Sequence, residues 1–283
     1  HIIGEGDYCY RVIDSFNNLK FDGEVLFYDM KNLNPADFEV GKVSAVTGKA
    51  SAEQIDLGIQ LWKDKVVGAV MFAPFNKASI KAYKGNSYTS EQAYMREVLN
   101  YYGPGCEINH MKNVFTTRAT SHVPLTQIGK YLNKDVIKDA IRLLWNTMCD
   151  AGYAQPRIAV AALNPHCGEY GTCGREELDI IGPAVEEMSV EGVPCAGPIS
   201  ADTLFNRAFN YGEFDGIVTM YHDQGQIALK LLGFEKGVSI EGGLPCPLVT
   251  PSHGTAFEIA GTGKCTISAF NTALLDAVAM AKL

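Results

Sequence analysis

Short apolar runs alternate along this chain with amphipathic stretches long enough for helices, and that alternation limits the fold more than any other feature. The runs Glu24–Tyr28, Val66–Ala73, Asn113–Ala119, Arg157–Leu163 and Gly216–Tyr221 are rich in Val, Ile, Phe and Ala. Gly, Pro or Asp bounds them, as expected for strands. Helices are expected over Ser51–Lys63, Ser90–Tyr101, Lys134–Ala151, Glu176–Met188, Ala201–Tyr211 and Ser268–Ala281. In Lys134–Ala151, the residues Val136, Ile137, Ala140, Ile141, Leu144 and Met148 recur at helical spacing. Ile55, Ile59 and Trp62 do the same in Ser51–Lys63, with Leu57 and Leu61 off that stripe. Gly152 stands where a left-handed residue would cap the Lys134–Ala151 helix. The expectation is an α/β protein with a largely parallel sheet. The continuous apolar run Val66–Ala73 is expected to be buried on both faces.

Composition narrows the function classes. The chain has 283 residues, enough to bury a large core without covalent staples. Its formal charge is −8 and it has no basic run, which argues against nucleic acid as a partner. No apolar stretch approaches the roughly 18 residues of a spanning helix, so no membrane is expected. The cysteines Cys9, Cys106, Cys149, Cys167, Cys173, Cys195, Cys246 and Cys265 are scattered, with no C-x-x-C pair. Reduced thiols in a cytoplasmic protein fit that pattern better than a disulfide frame. The chain opens at His1 and runs directly into Ile2 and Ile3, which reads as the interior of a fold.

Three of the six histidines follow strand candidates. His122 comes after Val114–Ala119, His166 after Ile158–Leu163, and His222 after Ile217–Tyr221. In open α/β sheets, ligands bind outside the carboxyl ends of strands, so the three imidazoles can converge. Neutral imidazole is the commonest metal ligand, and three protein ligands leave a position open for substrate. The competing reading is three unrelated loop histidines making local hydrogen bonds.

Other polar residues carry paired readings as well. Asp202 and Asp223 are candidate acids, although Asp202 equally suits the cap of the helix that follows it. Lys230, within the apolar run Ile227–Leu232, is either a desolvated lysine facing an anionic substrate or one snorkelling from a strand edge. The glycines of Glu169–Glu177 allow close backbone approach to an anion at a helix start. Neither a G-x-G-x-x-G nor a Walker motif occurs, which argues against an ordinary Rossmann cofactor site.

Four segments together resemble the 4-hydroxythreonine-4-phosphate dehydrogenase family. They are Asn164–Glu169, Ile199–Phe205, Met220–Gly225 and His253–Gly263, in that order, and the likeness covers nearly the whole chain. The last segment is also similar to the cofactor loop of isocitrate and isopropylmalate dehydrogenases. The resemblance implies their fold, with residues 1–283 as one family domain of two interleaved α/β subdomains around a central cleft. It implies a homodimer whose active sites use both subunits. It also implies a divalent metal on His122, His166 and His222, with zinc first and Mg, Mn or Co as alternatives. NAD or NADP would lie against His253, Gly254, Thr255 and Ala256. Asp202 and Lys230 would be catalytic. The reaction implied is oxidation of a secondary alcohol of a small hydroxy acid, followed by decarboxylation of the β-keto acid.

The departures from the family concern the substrate. Asn76-Lys77 is present, but the family's Gly-His-Thr-Glu element reads Tyr88-Thr89-Ser90-Glu91, so Thr89 and Ser90 replace substrate-binding residues. Ser239 stands in place of an Asn, and Leu248 in place of an Arg of the phosphate pocket. Leucine offers neither charge nor a bidentate fork. The family's opening Gly-Asp-Pro-Ala-Gly-Ile-Gly-Pro-Glu segment does not occur in the sequence. An unphosphorylated hydroxy acid is therefore expected to serve nearly as well as a phosphate ester. The alternatives are a cis-dihydrodiol dehydrogenase of an aromatic carboxylate and a threonate or erythronate 4-phosphate dehydrogenase. A catalytically silent binding protein and a metallohydrolase are readings of a different class.

Overall fold

The computed structural model describes residues 9–233 and 236–281. The reading of His1–Ile3 as the interior of a fold lies outside them. In chain order the elements begin with β1 (Arg11–Ile13), β2 (Leu26–Tyr28), α1 (Ala45–Lys63), β3 (Val70–Met71), α2 (Lys77–Lys84) and α3 (Glu91–Leu99). A hairpin of β4 (Cys106–Met111) and β5 (Val114–Arg118) follows, then α4 (Ile128–Tyr131), α5 (Lys134–Asp150) and β6 (Ile158–Ala161). Next come α6 (Gly182–Val190), β7 (Cys195–Ile199), α7 (Ala201–Phe209), β8 (Gly216–Thr219) and α8 (His222–Gly233). The last are β9 (Val238–Gly242), β10 (Leu248–Pro251) and α9 (Ser268–Met280).

Local chemistry sets many of these boundaries. Ser44 caps α1 by accepting from the Val46 N–H, Ser90 caps α3 from Ala93, and Asn133 caps α5 from Val136. Gly152, at φ +95°, ends α5 as expected, with the Tyr153 N–H donating to the Met148 carbonyl. A π turn, Glu177–Ile181, leads into α6.

β1 and β2 form a separate parallel pair, and the remaining strands make one sheet in the order β3-β10-β9-β4-β5-β8-β6-β7. The sheet is mixed, which corrects the expectation of a largely parallel one. The β5–β8, β8–β6, β6–β7 and β10–β3 pairs are parallel, whereas β4–β5, β4–β9 and β9–β10 are antiparallel. The antiparallel centre arises partly from a two-residue turn, Lys112-Asn113, with Lys112 at φ +54°. Burial of Val66–Ala73 on both faces is also corrected. Only Val70 and Met71 form a strand, it lies at the sheet edge, and its side chains are half-buried.

On one face of the sheet, α5, α6 and α9 pack over Ile108, Phe115, Val160, Val218, Ile240 and Val249. On the other face, α7 covers Val114, Ala159, Ala161 and Ile217 at one end. At the opposite end, α1 to α3 form a second apolar cluster with Cys246 and Leu248. Between these two covers the second face presents polar side chains, Glu107 and Asn109 from β4, Arg118 from β5, Ser239 and Glu241 from β9, and Thr250 from β10. Strand alternation and the pairing registers put them on one side. That polar strip, bordered by α8 through Gln226 at Asn109, is the floor of a cleft.

Candidate active site

A cleft of about 430 Å³ opens over this floor. Ser90, Lys77, Glu91 and Gln92 line one wall, His122 and Ser121 another, and Ser252, His253 and Gly254 a third. Ser239 therefore shares one space with Ser90 and with His122. Ser90 Oγ accepts the Ala93 N–H to cap α3 and still faces the cleft. Thr89 is exposed beside it. Leu248 is fully buried under the floor, packed among Ile55, Ile80 and Met95, and so presents no surface to a substrate.

The three histidines leave one edge of the sheet. β5, β8 and β6 are adjacent and mutually parallel, so their carboxyl ends point the same way. His122 and His222 come close, with ring centroids 5.5 Å apart. His166 lies on a separate turn in which residues 166–170 all adopt left-handed backbone, beginning with His166 at φ +48°. His122 is also left-handed, at φ +53°. Such conformations are costly outside glycine and cluster at functional sites. Glu177, almost wholly buried, anchors this turn by accepting the Leu163 and Asn164 N–H groups at 2.8 and 2.7 Å. Among the described residues, no group of three or more His, Cys, Asp and Glu side chains stands ready to hold a metal ion.

Carboxylates back two of the imidazoles. Asp223 Oδ1 lies 2.6 Å from His222 Nδ1, and Glu169 Oε1 lies 2.9 Å from His166 Nδ1. The Glu169 hydrogen bond, its charge and the charge of Asp202 raise the pKa of His166 above its ordinary value. Asp202 is not the helix cap. Ser200 occupies that position, and its hydroxyl donates to Asp202 Oδ1 at 2.7 Å within the first turn of α7. Lys230 is not at a strand edge but in the last turn of α8. It lines a separate cavity of about 40 Å³ with Asn109, His110, Gln226 and Ser252.

The cofactor-loop candidates straddle two spaces. His253 and Gly254 face the cleft, whereas Thr255 faces an adjoining groove of about 660 Å³ with Phe38, Val40, Ile55, Met71 and Phe72. Ala256 lies between them and Phe257 in left-handed backbone, φ +48°. A larger cavity of about 960 Å³ lies beyond Arg118 and Glu241, against α5. No histidine lines it, whereas His122 and His253 line the smaller cleft.

The floor is where sequence reasoning fell short. Arg118 pairs with Glu107 at 2.9 Å and donates its Nε to Ser121, the residue before His122. Ser239 donates to Glu107 at 2.9 Å, and Gln226 on α8 donates to Asn109 at 2.6 Å. Burial acts to raise the Glu107 pKa, but the Arg118 charge and the surrounding hydrogen bonds outweigh it and hold the carboxyl below its usual range. Lys77 and Glu91 pair at 2.7 Å and tie the start of α2 to α3. The available signal was the period-two alternation of Glu107-Ile108-Asn109 and Val238-Ser239-Ile240-Glu241.

The family model for pyridoxal phosphate biosynthetic protein PdxA matches residues 11–277. A Pseudomonas aeruginosa protein named "Putative 4-hydroxythreonine-4-phosphate dehydrogenase 2" is 41% identical over 98% of this chain and 82% of its own length. A Halalkalibacterium halodurans protein named "Putative D-threonate 4-phosphate dehydrogenase" is 35% identical over 93% of this chain and 81% of its own. The crystal structure of 4-hydroxythreonine-4-phosphate dehydrogenase from Klebsiella pneumoniae superposes with a TM-score of 0.80 at 33% identity. That match covers 96% of this chain and 82% of the other.

Proposed function

The chain belongs to the pyridoxal phosphate biosynthetic protein PdxA family, and from that premise we propose a metal-dependent oxidation of the secondary alcohol of a small hydroxy acid, followed by decarboxylation. It is an NAD(P)-dependent dehydrogenase of that family. The observation that carries the finer reading is the single cleft lined by His122, Ser90, Ser239, His253 and Gly254.

The donor chemistry fits a divalent cation. Asp223 and Glu169 hold the Nδ1 atoms of His222 and His166, which leaves each Nε2 for coordination. His122, His222 and His166 would hold the ion, with the His166 turn closing on the other two. A bound cation would supply Lewis-acid polarisation of the substrate oxygen. The loop His253–Ala256 would hold the nicotinamide cofactor, with the adjoining groove offering apolar walls to its remainder. Asp202, close enough to influence His166, would take the hydroxyl proton. Lys230 would act as the second proton-handling group.

The cleft is lined mainly by polar side chains, which suits a hydroxy acid better than an aromatic dihydrodiol. Its relatives' names point to 4-hydroxythreonine 4-phosphate and D-threonate 4-phosphate. Leu248 offers no charge to a phosphate, so the free hydroxy acids are the better candidates. A homodimer is consistent with Ile227 and Leu231, exposed one turn apart on α8. No helix of the described residues is long and apolar enough to cross a membrane, and the eight cysteines are free, which supports a cytoplasmic enzyme.

The test is a screen of hydroxy acids and their phosphate esters for reduced-cofactor absorbance, with the protein metal-loaded or stripped by chelation. Turnover should need both a divalent cation and NAD or NADP. Metal-dependent turnover without nicotinamide would instead indicate a hydrolase. Absence of both bound cation and turnover would indicate a binding protein.

A further inference from the structure

We propose that Glu241 selects the substrate by its distal end, hydrogen-bonding a neutral hydroxyl there and rejecting a phosphate monoester. This rests on the dehydrogenase reading of the cleft and names the substrate class that the cleft admits.

Glu241 sits in the middle of the floor, 7% exposed. The sheet register places it directly across from Glu107 on β4. On its other side, the pairing of Val249 with Ile240 brings Leu248 opposite it. The row across three strands is therefore acid, acid, leucine, facing the cleft at its first two members. Like charges directly opposite on neighbouring strands destabilise a sheet unless one is neutralised.

The nearby cations are already engaged. Arg118 is paired with Glu107, and Lys77 with Glu91. The partner of Glu241 is a neutral amide, the Gln92 side chain, which donates to its Oε2 at 3.0 Å. Among the described residues, no ion pair includes Glu241. The groups facing it are Glu107 and Cys106 on β4, Arg118 on β5, Lys77 on α2, Tyr88, and Glu91 and Gln92 on α3, while Arg96 on α3 shares the larger cavity with it and donates to the Gly105 carbonyl. Burial first, and then the Glu91 and Glu107 charges, push its pKa up to about 8, against the weaker pull of Gln92 and Lys77.

A protonated carboxyl in this place offers one O–H donor and a carbonyl acceptor, the complement of a substrate hydroxyl. A phosphate dianion would stand beside the carboxylates of Glu91 and Glu107 and would gain no cation from Leu248. Loss of the Glu241 proton would set a third carboxylate charge against it. Selection against the ester should therefore sharpen as pH rises through 8.

The experiment measures kcat/KM of the metal- and cofactor-loaded enzyme for D-threonate and D-threonate 4-phosphate, and for 4-hydroxythreonine and its 4-phosphate, at pH 7 and pH 9. A phosphate monoester, with a second pKa of about 6, is largely dianionic throughout that range. The wild type should prefer the free acids at both values, and the preference should grow about tenfold from pH 7 to 9. Glu241→Gln should remove that growth and move the ratio about tenfold toward the esters. Glu241→Thr serves as a second variant should the first fail to fold. A wild type that prefers the esters overturns the proposal. So does a ratio with the same value and the same pH dependence in both proteins. If no compound is oxidised, the dehydrogenase reading is what has failed. Calorimetric binding of the same four compounds to wild type and variant then decides the Glu241 proposal on the same ratio, and absence of binding by all four overturns it.

Discussion

The rim and the floor of the cleft are held by different means. On the rim, His122 and His166 are exposed and sit on left-handed turns, and His166 and His222 hydrogen-bond to carboxylates within three residues in sequence. On the floor, Arg118, Asn109, Ser239 and Glu241 are buried: Arg118 bonds Glu107 across the β4–β5 hairpin, Asn109 bonds Ser239 between β4 and β9, 130 residues away, and Glu241 accepts from Gln92 on α3, 149 residues away. The difference separates two duties. A rim whose ligands are local can adjust when an ion arrives, whereas a floor built from long-range pairs is shaped before any ligand enters.

The sharpest way to break this comparison is His222→Ala. If the rim serves only the bound cation, turnover should fall on the order of a thousandfold, about 4 kcal/mol of barrier. Bound metal after dialysis should be lost, while the Tm of the metal-free protein stays within about 2 °C of wild type. A large loss of Tm would show that the rim is structural after all.

Arg118→Met should do the reverse. It leaves Glu107 without its cation beside the Glu241 carboxyl, at a cost of about 3 kcal/mol. Chemical denaturation should show that loss, and Arg118→Met with Glu107→Gln should recover much of it. A single variant as stable as wild type would mean that the floor is not prebuilt.

Ser90→Ala probes the position where the two regions meet, since Ser90 caps α3 and lines the cleft. Loss of the cap should cost about 1 kcal/mol. If the hydroxyl also binds substrate, KM should rise more than kcat falls; equal loss of both would assign Ser90 to capping alone.

Much of the frame was legible before folding. α3, α5, α7 and α9 lie near their expected positions, and Ser90, Asn133 and Gly152 mark ends of α3 and α5 over a few residues, whereas α1 begins six residues early at Ala45 and α2, α4 and α8 were not expected. The histidine positions were legible because each follows a short apolar strand. β4, β9 and β10 were not found, although β4 and β9 carry the floor. In β4 and β9 polar and apolar residues alternate, and the pairing of these two strands joins residues more than a hundred positions apart. The Val66–Ala73 run misled for a related reason: hydrophobicity indicates that a segment can be buried, but not which place in the sheet it takes.

By itself, then, the sequence determined the alternation of strands and helices, the strand-end histidines and the absence of a charged residue at position 248. Those follow from local periodicity and residue chemistry. Only the tertiary structure decided that Leu248 is buried beneath the floor, that Glu107 and Glu241 face each other, and that Arg118 reaches from the floor to the loop of His122. Strand register settles such contacts, and a one-residue slip would turn every one of those side chains to the opposite face.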